Sequence, residues 1–173
     1  QGSVNPERVY ATGFSSGGFM TERLACDLPN KIAAFAVDAA TMRNSLVAVC
    51  NPSTQRPKIY FLGTSDLIVA YTGVFPEQAN GQRSADGTMS FWADQQGCAT
   101  TPTTTPVPDI AADGTMVRRA VYGSCRNSTR LELYIVDGGG HAWPGGDPSL
   151  VGTTTRDIHA TGLLWNFVSD YRR

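Results

Sequence analysis

The sequence predicts one α/β domain spanning residues 1–173: a mostly parallel sheet flanked by helices. Three observations carry that reading. Short apolar runs rich in β-formers each end at glycine or an acidic residue, helical stretches lie between them, and the chain closes on an amphipathic segment.

Taken in order, Arg8-Val9-Tyr10-Ala11-Thr12 reads as a short buried strand ending at Gly13. Beyond Ser15, Ser16-Gly17-Gly18 leads into a helical stretch from Phe19 to Cys26, which Pro29 prevents from continuing. Ile32 to Asp38 is a second apolar strand, and Lys58 to Leu62 a third that ends at Gly63. Leu131 to Val136 is a fourth, followed by Asp137 and the glycines at 138, 139 and 140. Val117 to Tyr122 alternates in character, as a strand lying antiparallel beside the fourth would. From Arg156 to Tyr171, helical spacing puts Ile158, Leu163, Leu164, Trp165, Phe167 and Val168 largely on one side. Thr100 to Pro108 has a linker's composition but falls between Cys98 and Cys125, so it reads as a surface loop inside the domain. No internal repeat interrupts this order.

Hydrophobic residues at 41% and charged residues at 17% describe a folded chain, and no apolar run approaches the ~18 residues of a membrane helix. A net charge of −1 gives no reason to expect nucleic acid or an anionic membrane as partner. The four cysteines lack the close spacing of metal or thioredoxin-like sites, so neither metal nor cofactor is expected. They allow three pairings, of which Cys26 with Cys50 and Cys98 with Cys125 is the simplest, each closing one contiguous loop. Such bridges, with the sequon Asn127-Ser128-Thr129, fit a secreted protein, whose signal segment would lie upstream of residue 1.

The chemistry centres on Gly13-Phe14-Ser15-Ser16-Gly17. A serine hydroxyl is a poor nucleophile until a base takes its proton and the backbone presents its oxygen. A tight strand-to-helix turn does the presenting, with flanking positions expected to tolerate little beyond glycine. The next N–H, that of Ser16, then stands at a helix N-terminus and can donate to a developing oxyanion. Asp66 follows the third strand in Gly63-Thr64-Ser65-Asp66, and His141 follows the fourth in Gly138-Gly139-Gly140-His141-Ala142-Trp143-Pro144-Gly145. Parallel strands put all three at one sheet edge. The order Ser, Asp, His is that of α/β-hydrolases, with Ser15 as nucleophile, His141 as base and Asp66 as acid. Asp38 and Asp137, also at strand ends, are the competing carboxylates. Asp38 occupies a place some hydrolases use for the acid, and Asp137 reads as a cap of its own turn.

At these residues the chain resembles the secreted esterase family of feruloyl esterases and polyhydroxybutyrate depolymerases. The matching segments run from Asn5 to Gly18, from Gly63 to Asp66 and from Gly138 to Gly145, with Leu24-Ala25-Cys26, Cys50-Asn51-Pro52 and Gly97-Cys98 in corresponding places. The resemblance implies an α/β-hydrolase fold and carries the three catalytic roles to Ser15, Asp66 and His141. Two departures stand out. Leu62 occupies a position where the family has histidine. The family also has early strands and a His-Gly-rich loop, supplying a second oxyanion donor, before the elbow strand, where only Gln1 to Glu7 stand here. The chain is therefore expected to correspond to the C-terminal part of the fold, its N-terminal strands apparently absent. An upstream segment or second chain would cover the edge of the elbow strand.

Trp143, two residues past His141, is a candidate wall for an aromatic acyl group, and Tyr71 a weaker one. Trp92 reads as core, and His159, placed in the final helix, as structural. The expected partner is an ester: a feruloyl or acetyl ester of plant cell-wall polysaccharide, with a polyhydroxybutyrate polyester or a non-catalytic fragment as alternatives.

Overall fold

The computed structural model describes residues 3–75, 78, 81–147 and 151–173. Along the chain run strand β1 (Tyr10–Phe14), helix α1 (Ser16–Asp27), β2 (Ala34–Asp38), the short α2 (Asn44–Val47), β3 (Lys58–Gly63) and α3 (Ala85–Gln96). They are followed by β4 (Thr103–Pro106), β5 (Met116–Tyr122), a 3-10 turn (Arg126–Ser128), β6 (Leu131–Asp137) and α4 (Ala160–Ser169). Six strands form one sheet in the order β1-β2-β3-β6-β5-β4. The first four in that order are mutually parallel, β5 pairs antiparallel with β6, and β4 pairs antiparallel with β5.

Strand alternation builds two cores. Phe35 and Val37 of β2, Tyr60 and Leu62 of β3, and Leu133 and Ile135 of β6 pack on one face with Ala25 of α1 and Met89 and Trp92 of α3. Ala34, Ala36, Ile59, Phe61, Tyr134 and Val136 point to the other, where Phe167 and Val168 of α4 cover them. Leu62, the departure from the family pattern, is thus a core side chain. Because β2, β3 and β6 are covered on both faces, their sequences are continuous apolar runs.

The expected disulfides are the ones formed, Cys26 with Cys50 and Cys98 with Cys125. The first ties the end of α1 to the segment after α2. Asn127 of the sequon is exposed.

Four expectations need correction. β1 starts two residues later than expected and carries Gly13 and Phe14 within it, because its ladder with β2 continues to the pair Phe14 and Asp38. The supposed surface loop contains β4, an exposed edge strand of β-branched threonines that ends on Pro106, a residue an edge strand tolerates. α3 was not foreseen, although Ser84 caps it by accepting the Gly87 N–H at 3.0 Å and Gly97 ends it at φ 60°. The last helix begins at Ala160, so His159 is its N-cap residue and lies outside it, and Trp165 is largely exposed.

Candidate active site

Ser15 stands alone between β1 and α1, with φ 53° and ψ −116°. A serine held there stores strain on the order of 1–3 kcal/mol, which the surroundings must enforce. Enforcement comes from both sides: the Ser15 N–H donates to the Asp38 carbonyl at 3.0 Å, and the Ser15 carbonyl accepts from the Phe19 N–H at 3.0 Å. Two glycines let the turn close. A Cβ on Gly13 would lie 2.1 Å from the Gly17 carbonyl, and one on Gly18 would lie 2.5 Å from the Ala40 Cβ. Gly17 has open space around it, so the tightness expected on both sides of the motif holds for Gly13 and passes on the far side to Gly18. Ser16 is the first residue of α1, where backbone N–H groups have no partner within the helix.

Asp66 and His141 meet. His141 Nδ1 lies 2.8 Å from Asp66 Oδ2, and both side chains are buried. The other oxygen of Asp66 accepts the N–H groups of Ile68 and Val69, each at 2.8 Å, which fixes the orientation of the carboxylate. The two loops that carry the pair are stitched together: Ser65 N–H donates to the Gly139 carbonyl at 2.8 Å, and a Cβ on Gly63 would strike that carbonyl at 2.4 Å. Gly138, at φ 78°, turns the chain out of β6.

Phe14 links this pair to the elbow. Its ring centroid lies 4.8 Å from that of His141 and 6.5 Å from that of Trp143. A direct hydrogen bond from the Ser15 hydroxyl to the His141 ring is not among the contacts of the described residues. Such contacts commonly tighten only when substrate binds.

The other candidates separate clearly. Asp137 is paired to Arg118 on the partly exposed end of β6. Asp38 is buried beside Asp66, and burial first, then the Asp66 charge, pushes its carboxyl well above the usual range. Trp143 is half-buried and donates its indole N–H to the Thr161 hydroxyl at 3.0 Å. Tyr71 packs against the core, where burial and then Asp86 push its hydroxyl up to about 12. Trp92 is fully buried and donates to Glu22 at 3.0 Å, as a core residue would. The ring of His159 packs against Gly145.

Beside Ser16 opens a cleft of about 410 Å³, walled by Phe19, Met20 and Leu46 and edged by Arg43 and Ser45. The Arg43 guanidinium lies 4.6 Å over the Phe19 ring. Phe14 and Arg43 were not foreseen: Phe14 sat inside the motif with no sign of its contacts, and nothing in the sequence marks Arg43. Beneath α1, Glu22 accepts from Tyr60 at 2.8 Å as well as from Trp92, while Lys58 Nζ lies 3.8 Å over the Trp92 ring. Burial draws Glu22 up to about 7 and Lys58 down to about 7. No cluster of metal-ligating side chains occurs among the described residues.

No family model matches the chain. Individual proteins do. It is 32% identical over 145 residues to feruloyl esterase B of Piromyces equi, covering 80% of this chain and 26% of that protein. It is 28% identical over 179 residues to "Putative esterase NocK" of Nocardia uniformis subsp. tsuyamanensis, covering 95% of this chain and 52% of that one. Over 75 residues it is 37% identical to poly(3-hydroxyoctanoate) depolymerase of Pseudomonas fluorescens, covering 40% of this chain and 27% of that enzyme. The chain thus spans from about a quarter to about half of the length of these relatives. These relatives, at modest identity, support an esterase family of feruloyl esterases and polyhydroxybutyrate depolymerases, and the mostly parallel sheet with flanking helices is consistent with the α/β-hydrolase fold that such esterases suggest.

Proposed function

We propose that this chain carries the catalytic centre of a serine carboxylic-ester hydrolase, with Ser15 as nucleophile, His141 as base and Asp66 as acid. The observation that supports it most is the buried 2.8 Å contact of His141 with Asp66, in loops packed beside a serine at φ 53°. His141 takes the Ser15 proton as the hydroxyl attacks the ester carbonyl, then protonates the leaving alcohol. Asp66 orients the imidazole and stabilises its charged form. The Ser16 N–H donates to the oxyanion. Water then attacks the acyl-enzyme with His141 again as base. A second oxyanion donor, and cover for the free edge of β1, come from a segment outside these residues or from a second chain.

The substrate favoured is a feruloyl or acetyl ester on plant polysaccharide. Feruloyl esterase B of Piromyces equi is a relative, and Trp143 lies close enough to Phe14 for a planar acyl group to lodge against it. A polyester reading has its own support: Leu67, Ile68 and Phe75 stand exposed, the first two directly after Asp66, as a surface for an apolar polymer would. The two disulfides fit an extracellular enzyme, and no helix among the described residues is long and apolar enough to cross a membrane.

Release of p-nitrophenol from p-nitrophenyl acetate tests the reaction. Ser15→Ala should reduce it to the background rate, and equal rates for the two proteins would leave a non-catalytic fragment as the reading. Methyl ferulate against a polyhydroxyalkanoate film then separates the two substrate classes.

A further inference from the structure

A second carboxylate shares the buried ground beneath the elbow. Asp38 closes β2 and is 2% exposed. Its backbone is built into the turn: the carbonyl receives the Ser15 N–H, and the following residue, Ala39, is held at φ 48° with its N–H on the Phe61 carbonyl. Its side chain is treated differently. Oδ2 is buried and accepts no hydrogen bond among the described residues.

The contrast with Asp66 is chemical. Asp66 has two backbone N–H donors and the His141 ring, three groups within hydrogen-bond distance of its oxygens. Asp38 has no donor to Oδ2 and the Asp66 charge set against it. The register neighbours of Asp38, Phe14 on β1 and Phe61 on β3, do not ionise, and α1 approaches with Gly18. Among the described residues, Asp66 is thus the ionised group acting on it. A buried carboxyl oxygen without a donor, set against the charge of a carboxylate held by three groups, favours keeping the proton.

We propose that the acid of this site is a pair in which Asp38 holds the proton, a neutral positioning residue that leaves Asp66 as the charged member of the pair facing His141. The inference rests on the reading of His141 and Asp66 as base and acid, and it concerns what surrounds them. Were Asp38 ionised, a second negative charge would hold the imidazolium more tightly and delay its conversion to the free base as pH rises.

Three measurements test it, two of them independent of catalysis. The carbon-13 carboxyl shift of Asp38 in the unaltered protein reads the proton directly; it should stay that of a neutral acid well above the ordinary 3.8, whereas titration near 3.8 overturns the proposal. In urea, the unaltered protein should lose stability relative to Asp38→Asn as pH rises above about 4. The sign follows from linkage: the unfolded chain sheds the Asp38 proton near 3.8 while the folded one keeps it, so the folded-to-unfolded ratio falls by up to about tenfold per pH unit. Parallel stability curves overturn it. In kcat/KM, Asp38→Asn should leave the acidic limb in place; a shift of that limb to lower pH by about a unit shows that a charge was removed. Asp38→Leu, an apolar replacement of similar size, should repeat both results. Loss of all ester hydrolysis in the unaltered protein would count against the catalytic reading and leave the first two measurements intact.

Discussion

Ser15, at φ 53°, cannot be relaxed without losing the presentation of its oxygen, so its neighbours carry opposite sensitivities. Gly13→Ala sets a methyl group 2.1 Å from backbone and should unfold the turn, lowering stability by several kcal/mol, about the cost of severe overpacking. Gly17→Ala, in open space in the first turn of α1, should be tolerated and add about 0.5–1 kcal/mol through the lower entropy of the unfolded chain. Chemical denaturation of the two variants distinguishes a motif held by sterics at both glycines from one held at Gly13 alone. Asp66→Asn keeps the shape but offers His141 an amide in place of a charge, so kcat should fall by about 10³–10⁴ with KM little changed. The placement of Ser15, Asp66 and His141 just past strand ends was legible because turn-forming glycines lie close to each, a signal that is local in sequence. Phe14 and Arg43 were not, since what they touch is decided by tertiary packing.

At the scale of elements, α1 is held to the sheet by more than apolar contact. Glu22 sits between Tyr60 and Trp92 with the Lys58 charge close by, a buried network in which each member satisfies another. Glu22→Ala leaves a buried hydroxyl and indole N–H without their acceptor and takes the carboxyl away from Lys58, whose Nζ donates to the Arg56 carbonyl, and should cost about 3–5 kcal/mol, read as a lower urea midpoint. Ser84→Ala removes the α3 cap and should cost about 1 kcal/mol, a fall in Tm of roughly 2–4 °C for a chain of this size. The strands buried on both faces were readable as apolar runs. β4 was not, because its threonines face solvent and imitate a linker. α3 was missed for a related reason: Gly87, Ser90 and Asp94 dilute its apolar face, and only its caps at Ser84 and Gly97 signalled it.

Over the whole molecule, the sheet order places the elbow strand at one edge, with β2 on one side and no described strand on the other. Val9, just before β1, is partly exposed there. An edge strand in that position has hydrogen-bonding groups to offer, and in the proposed mechanism the Ser16 N–H is the one oxyanion donor named among the described residues. Both needs are met at once if another stretch of polypeptide pairs with β1 and brings a second N–H toward Ser15. The expected outcome is quantitative, since one oxyanion donor is worth about 10²–10³ in kcat. The 173-residue chain should hydrolyse p-nitrophenyl acetate at least about a hundredfold more slowly than a longer protein that includes the pairing segment. If association of two copies supplies the strand instead, the specific activity of the shorter chain should rise with protein concentration, in step with dimer formed in sedimentation. Equal rates for the short and long proteins at every concentration would mean that the Ser16 N–H stabilises the oxyanion alone and that the edge of β1 plays no part in catalysis.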